Sequence, residues 1–136
     1  MVEQLRGGSP VILGGTEPGH TTDGVAALVA VRLRAARVVN ATDVDGVYDR
    51  DPRTGPGAQR IERLSWEEFR AMVHAGTRGE AGQNFLFDRL GADALARAGI
   101  PLLVVQGRDL ANLEAAIDGR AFRGSQVGGT TSSKTA

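Results

Sequence analysis

The sequence predicts an α/β fold: a largely parallel sheet with flanking helices. Two observations predict it. Short apolar runs, Pro10–Leu13 ("PVIL"), Arg37–Thr42 ("RVVNAT") and Ile100–Val105 ("IPLLVV"), read as buried strands, and turn-forming residues follow them. Between them stand longer segments whose apolar residues recur at helical spacing. The chain has 136 residues, the length of one ordinary domain, and no internal repeat.

Each element has its own signal. The first strand, Pro10–Leu13, ends at Gly14-Gly15. Thr21 or Thr22 can cap the following helix, with Asp23 in the first turn, where a negative charge suits the helix dipole. Val25, Leu28, Val29 and Leu33 form its apolar stripe. After the second strand, the stretch Asp43–Gly57 ("DVDGVYDRDPRTGPG") is dense in Asp, Gly and Pro and reads as a loop or set of turns. Arg60–Leu64 reads as a short edge strand. Ser65 and Glu68 form a capping box for a helix with Trp66, Phe69, Met72 and Val73 facing inward. A glycine-bearing stretch, "HAGTRGEAG", separates it from a helix over Phe85–Ala98. The third strand follows. Asp109 caps a last helix carrying Leu110, Leu113 and Ile117, and Ala121–Val127 reads as a closing strand. The folded unit is expected over residues 10–127, with 1–9 and 128–136 as flexible ends.

Composition narrows the function. The formal net charge is +0, which argues against a nucleic-acid or membrane partner. There is no cysteine, so disulfides and thiolate metal sites are excluded. Neither a signal peptide nor an apolar run of membrane-spanning length is visible, so the expected location is the cytoplasm. Only one of the 16 cationic residues is lysine, Lys134 in the tail. GC-rich codon usage explains that bias. It also means that a lysine needed to steady a phosphoryl group must come from elsewhere.

Two loops carry the chemistry. "GGTEPGHTTDG" (Gly14–Gly24) has the parts of a phosphate cradle: glycines that admit close backbone approach, a helix N-terminus and threonine hydroxyls. It lacks the Gly-Lys-Ser/Thr ending of a Walker A loop. A glycine turn with a threonine cap explains the same residues, and spacing alone favours it. "NATDVDGVYDRDP" (Asn40–Pro52) places Asp43, Asp45, Asp49 and Asp51 close together. Their order does not fit an EF-hand, and no metal site is expected. The same loop could hold a nucleotide, with a carboxylate for ribose hydroxyls and Tyr48 beside a base. A solvated turn accounts for the same residues, and residue types alone favour it. His20 lies in the candidate cradle without a second metal ligand, and His74 ends a helix.

Taken together, "VILGGTEPGHTTDGVAAL", "VVNATDVDGVYDRDP", "AQRIERLSWEEF", "AGQNFLFDRLGADALARAGIPLLVVQGRDLANLEAAI" and "FRGSQV" resemble the amino acid kinase superfamily, and most closely its archaeal-type uridylate (UMP) kinases. They stand in that family's order over about Pro10–Val127. The resemblance implies the C-terminal half of an amino acid kinase-like fold, serving nucleotide binding. It implies phosphoryl transfer from ATP, with Mg²⁺, to UMP, giving UDP for pyrimidine nucleotide synthesis. The segment similar to Thr16, Glu17, Pro18, Gly19, His20, Thr21 and Thr22 surrounds UMP in such kinases. The aspartate similar to Asp23 orients the lysine that bridges the transferring group, a catalytic role. The segment similar to Thr42, Asp43, Tyr48 and Asp51 holds ATP, with Tyr48 flanking adenine and Asp51 fixing the loop or ribose. Asn84 falls where the family begins a helix near the ATP phosphates, and Gln83 departs from the small hydroxyl residue expected there.

The family's chain is about twice this long, and its first half carries the Lys/Gly-rich turn and the acidic residue that reads uridine. The expectation is therefore a chain that is incomplete for transfer alone. It would work with an N-terminal half or as a homo-oligomer, because an exposed sheet edge and apolar surface favour association. Two other readings stand beside it: a catalytically silent nucleotide-binding or oligomerisation module, and a superfamily kinase with another small acceptor.

Overall fold

The computed structural model describes residues 8–15, 17–18, 21–76 and 87–129. Along these residues the order is α1 (Thr22–Leu33), β1 (Val38–Thr42), β2 (Val47–Tyr48), β3 (Arg60–Ile61), β4 (Arg63–Leu64), α2 (Trp66–Gly76), α3 (Arg89–Ala98), β5 (Leu102–Gln106), α4 (Leu110–Ile117) and β6 (Ser125–Val127). One sheet has the strand order β1-β5-β6-β4, and β2 and β3 form a separate antiparallel pair. β1 and β5 run parallel, as do β4 and β6, whereas β5 and β6 run antiparallel. The sheet is thus mostly parallel by neighbouring pairs, with helices on both faces.

β5 is the centre of the molecule. Its side chains alternate between two cores, as a strand's period of two requires. Leu102 and Val104 join the larger core with Phe69, Leu95 and Val127. Leu103 and Val105 join a smaller one with Ala116, against which Leu113 and Phe122 pack. Burial on both faces explains the uninterrupted apolar run "LLVV".

The larger core is roofed by α1, α2 and α3. α1 and α3 approach closely because their contact is lined by small residues. A methyl group placed on Gly91 would lie 3.2 Å from Ala27 Cβ and 3.3 Å from the Asp23 carbonyl oxygen. α2 opens with the expected capping box: Ser65 Oγ accepts from the Glu68 N–H at 3.1 Å, and Glu68 Oε2 accepts from the Ser65 N–H at 2.7 Å. Phe69 and Val73 are buried on its inner face, with Trp66 and Met72 packed beside them. Arg70 and His74 reach Asp93 of α3 at 2.7 Å and 3.4 Å.

Four expectations are corrected. Pro10–Leu13 is not a strand, and Ile12 is 98% exposed. An extended run needs a neighbour for its N–H and C=O groups, and no described strand pairs with it. In α1 the buried residues are Gly24, Val25, Ala27 and Ala30, while Leu28 is 54% exposed. The helix is apolar on two sides, and the small side won the contact with α3. The Val25–Val29–Leu33 stripe lines an open groove together with Leu13. α3 begins at Arg89 rather than Phe85, because Asp88 caps it; residues 77–86 lie outside the described residues. In α4, Ala115 and Ala116 are buried while Leu110 and Ile117 are exposed. Alanines allow a closer approach to the sheet, so the helix packs Ala115, Ala116 and Leu113 inward and turns Leu110 and Ile117 outward.

Candidate functional site

α1 leads into β1, and α3 into β5, through short turns, so each helix runs opposite to the strand that follows it. The N-termini of α1 and α3 therefore share one rim of the sheet with the carboxyl ends of β1 and β5. In open α/β sheets, ligand crevices form at that rim. The Gly107 N–H donates to the Thr42 carbonyl at 2.7 Å, and Gln106 Nε2 donates to the Asp43 carbonyl at 2.8 Å, joining the two strand ends.

At the helix side of the rim, Thr21 caps α1: its Oγ1 accepts from the Gly24 N–H at 3.1 Å. The same hydroxyl donates to Asp88 Oδ2. Asp88 in turn caps α3, its Oδ1 accepting from the N–H groups of Leu90 at 2.7 Å and Gly91 at 3.2 Å. One carboxylate thus spans two converging helix starts. Asp23, half-buried in the first turn of α1, has its pKa raised, first by burial and then by the nearby Asp88 charge; a hydrogen bond with the Asp88 backbone only partly offsets this. Thr22, Glu17 and Pro18 are exposed at the same approach. Thr16, Gly19 and His20 lie outside the described residues, as do Gln83 and Asn84.

The Asp-rich loop is held by its own carboxylates. Asp51 is nearly buried; its Oδ1 accepts from the Arg53 N–H at 2.9 Å, and its carbonyl accepts from the Gly55 N–H at 2.8 Å. Asp49 accepts from the Gln59 N–H at 2.9 Å. Thr42 Oγ1 donates to Asp43 Oδ1 at 3.2 Å, and Asp43 also faces Arg53 at 3.8 Å. The Tyr48 hydroxyl donates to Asp45 at 2.6 Å, and Arg60 pairs with that carboxylate at 2.9 Å. This hydrogen bond is the main reason the Asp45 pKa is lowered, with Arg60 adding to it, and it raises the Tyr48 pKa. Among the described residues, no three acidic or histidine side chains converge as they would on a cation.

The structure therefore brings Thr21, Thr22, Asp23, Thr42 and Asp43 to one rim. Tyr48 and Asp51 fix the loop that leaves that rim. Sequence reasoning missed three organising residues. Asp88 had a readable signal, an aspartate directly before an apolar helix. Gln106 and Ser125 had none. Ser125 is wholly buried; its Oγ accepts from the Val47 N–H at 2.8 Å and donates to the Ile61 carbonyl, pinning the β2–β3 pair to the sheet.

Comparison with known proteins identifies the family and the fold. A family model described as the amino acid kinase family matches residues 2–106. The uridylate kinase of Methanoculleus marisnigri is 43% identical over 115 residues, which are 85% of this chain and 49% of that protein. The crystal structure of uridylate kinase from Archaeoglobus fulgidus superposes with a TM-score of 0.70 at 38% identity, covering 84% of this chain and 50% of that one. E. coli aspartokinase III in complex with aspartate and ADP gives a TM-score of 0.61 at 28% identity, over 80% of this chain and 21% of that one. The chain spans about half the length of the curated relatives it matches. With the family match extending over most of its length, the chain belongs to the amino acid kinase family.

Proposed function

We propose that this chain is the nucleotide-holding portion of a uridylate kinase, a cytoplasmic transferase that moves the γ-phosphoryl group of Mg-ATP to UMP. One observation carries the reading: a threonine-bearing helix start and an Asp-rich loop share one rim of the sheet, as two facing phosphates require. In the transfer, a UMP phosphate oxygen bonds to the γ-phosphorus while the bond to the β–γ bridging oxygen breaks, leaving ADP and UDP. The protein's part is alignment and neutralisation of charge. Thr16 through Thr22 present hydroxyls and backbone N–H groups to the UMP phosphate. Thr42, Asp43, Tyr48 and Asp51 hold ATP, Tyr48 offering its ring face to adenine. Mg²⁺ would arrive with the ATP phosphates and supply charge neutralisation there, since Asp45, Asp49 and Asp51 are engaged in hydrogen bonds and ion pairs of the loop.

Asp23 positions a lysine; the one lysine of this sequence, Lys134, lies outside the described residues. The second reading, a nucleotide-binding module without transfer, draws on the same observation, as does the need for an N-terminal half or a second copy. Nucleic acid and membrane are not proposed as partners; no described helix is long and apolar enough to cross a membrane.

The test is to incubate the chain with Mg-ATP and UMP, with and without the N-terminal half of an archaeal uridylate kinase. ATP binding without UDP formation is expected from the chain alone, with UDP appearing on addition of the other half. Rapid UDP formation by the chain alone would refute the need for a second segment, and no nucleotide binding would refute the reading altogether. Tyr48→Ala is expected to weaken ATP binding about two- to tenfold, the worth of a lost ring contact, and to leave UMP binding unchanged. Thr22→Ala is expected to do the reverse, and equal losses in both would refute the loop assignment.

A further inference from the structure

α4 covers β1 and β5 but leaves the same sheet face open over β6 and β4. There a cavity of about 530 Å³ lies toward the amino ends of β1 and β5, away from the nucleotide rim. Five arginines line it, Arg37, Arg60, Arg63, Arg120 and Arg123, with Glu62 as the acidic lining residue. They are unequally neutralised. Arg60 pairs with Asp45 and Glu62, Arg120 with Asp118, and Arg123 with Asp109. Arg37 instead donates to a neutral group, the Ile117 carbonyl, at 2.8 Å. Arg63 has no ion pair or side-chain hydrogen bond among the described residues. Its position on β4 beside Leu64, which points into the larger core, turns its side chain to the cavity face. Arg60 Nε is buried there without a hydrogen-bond partner.

We propose that this cavity binds a small phosphorylated anion. Two guanidinium charges without a carboxylate call for a ligand carrying at least two negative charges. Planar guanidinium forks match phosphate oxygens in pairs. A monocarboxylate brings one charge and two oxygens, and leaves one guanidinium unmatched. The half-buried Phe122 and the buried Leu103 form an apolar wall for the organic part of a phosphate ester. The volume is that of a small-molecule site. The cavity meets the Asp-rich loop through the Arg60–Asp45 pair, but Arg37 and Arg63 belong to neither nucleotide loop, so the site stands whether or not the kinase reading does.

The experiment is calorimetric titration of the intact chain with inorganic pyrophosphate, and with acetate at matched ionic strength. Saturable binding of pyrophosphate alone is expected. Arg63→Ala is expected to weaken it by about tenfold or more, the loss of a charge-assisted pair. Arg63 is exposed and unpaired, so its removal leaves the thermal midpoint unchanged; Arg120→Gln gives a second reading from the opposite wall. Arg53→Ala, in the nucleotide loop, is expected to change binding less than about twofold. Absent or non-saturable pyrophosphate binding would overturn the proposal. So would a loss caused by Arg53→Ala and by neither cavity variant, which would assign the anion to the nucleotide rim.

Discussion

Asp23 carries two opposed demands. The proposed role at the rim asks for a carboxylate; as a half-buried neighbour of Asp88 it resists ionising, and its pKa stands above the ordinary value of 3.8. Between 3.8 and the raised value, the folded chain keeps a proton that the unfolded chain has lost, so stability falls as pH rises through that window. Asp23→Asn removes this cost. The variant is expected to gain stability relative to the parent as pH rises from about 4 to 7, measured by urea unfolding, and to lose any phosphoryl transfer. A stability difference that does not change with pH would show that burial and the Asp88 charge do not raise the Asp23 pKa. Gly91 serves packing instead. A Cβ there would meet the Phe87 ring at 2.9 Å and the Asp23 carbonyl at 3.3 Å. Gly91→Ala is expected to cost about 1–3 kcal/mol by forcing α1 and α3 apart, read from the same unfolding curves. A neutral result would mean that Phe87 swings aside freely.

Among the elements, α2 and α3 are joined by an ionic clamp whose pH dependence has the opposite sign. Burial raises the Asp93 pKa, but hydrogen bonds from Arg70 and His74 outweigh it and the net shift is downward. Its contribution is present above the unfolded value of 3.8 and is lost as pH falls through the folded one. Asp93→Asn is expected to destabilise by up to about 1 kcal/mol at neutral pH, since Arg70 is partly exposed. The difference should vanish in acid, and a difference that persists there would assign the loss to packing. Elements were legible in the sequence where the signal is local. The Ser65–Glu68 box, the Asp109 cap and the "LLVV" strand lie where reading places them. Reading failed where a choice between faces depends on distant partners: α1 and α4 bury alanines beside Val25 and Leu113, and leave Leu28, Leu110 and Ile117 exposed. The site divides the same way. The two loops are visible as motifs, while the bonds that organise them join residues 67 and 78 positions apart, Thr21 to Asp88 and Val47 to Ser125. No local spacing encodes such pairs.

At the scale of the molecule, the parallel sheet ends abruptly at β1. β5 is flanked by β1 and β6, but no described strand lies beyond β1. The Val38 N–H donates to the Pro101 carbonyl at 2.9 Å, and the Gly107 N–H reaches the Thr42 carbonyl from the other strand. Alternation along a strand then directs the Asn40 and Thr42 N–H groups toward β5, and those of Val39 and Ala41 toward the open edge. Amide hydrogen exchange should reproduce this comb. Leu103 and Val104, inside the sheet, should exchange most slowly, near the rate set by global unfolding. Val39 and Ala41 should exchange orders of magnitude faster than Asn40 between them. Where Val39 and Ala41 are as protected as Asn40, the edge is covered in solution by another strand. Adding the N-terminal half of an archaeal uridylate kinase should then leave their exchange unchanged if that edge is already occupied, and slow it if the half itself supplies the missing strand.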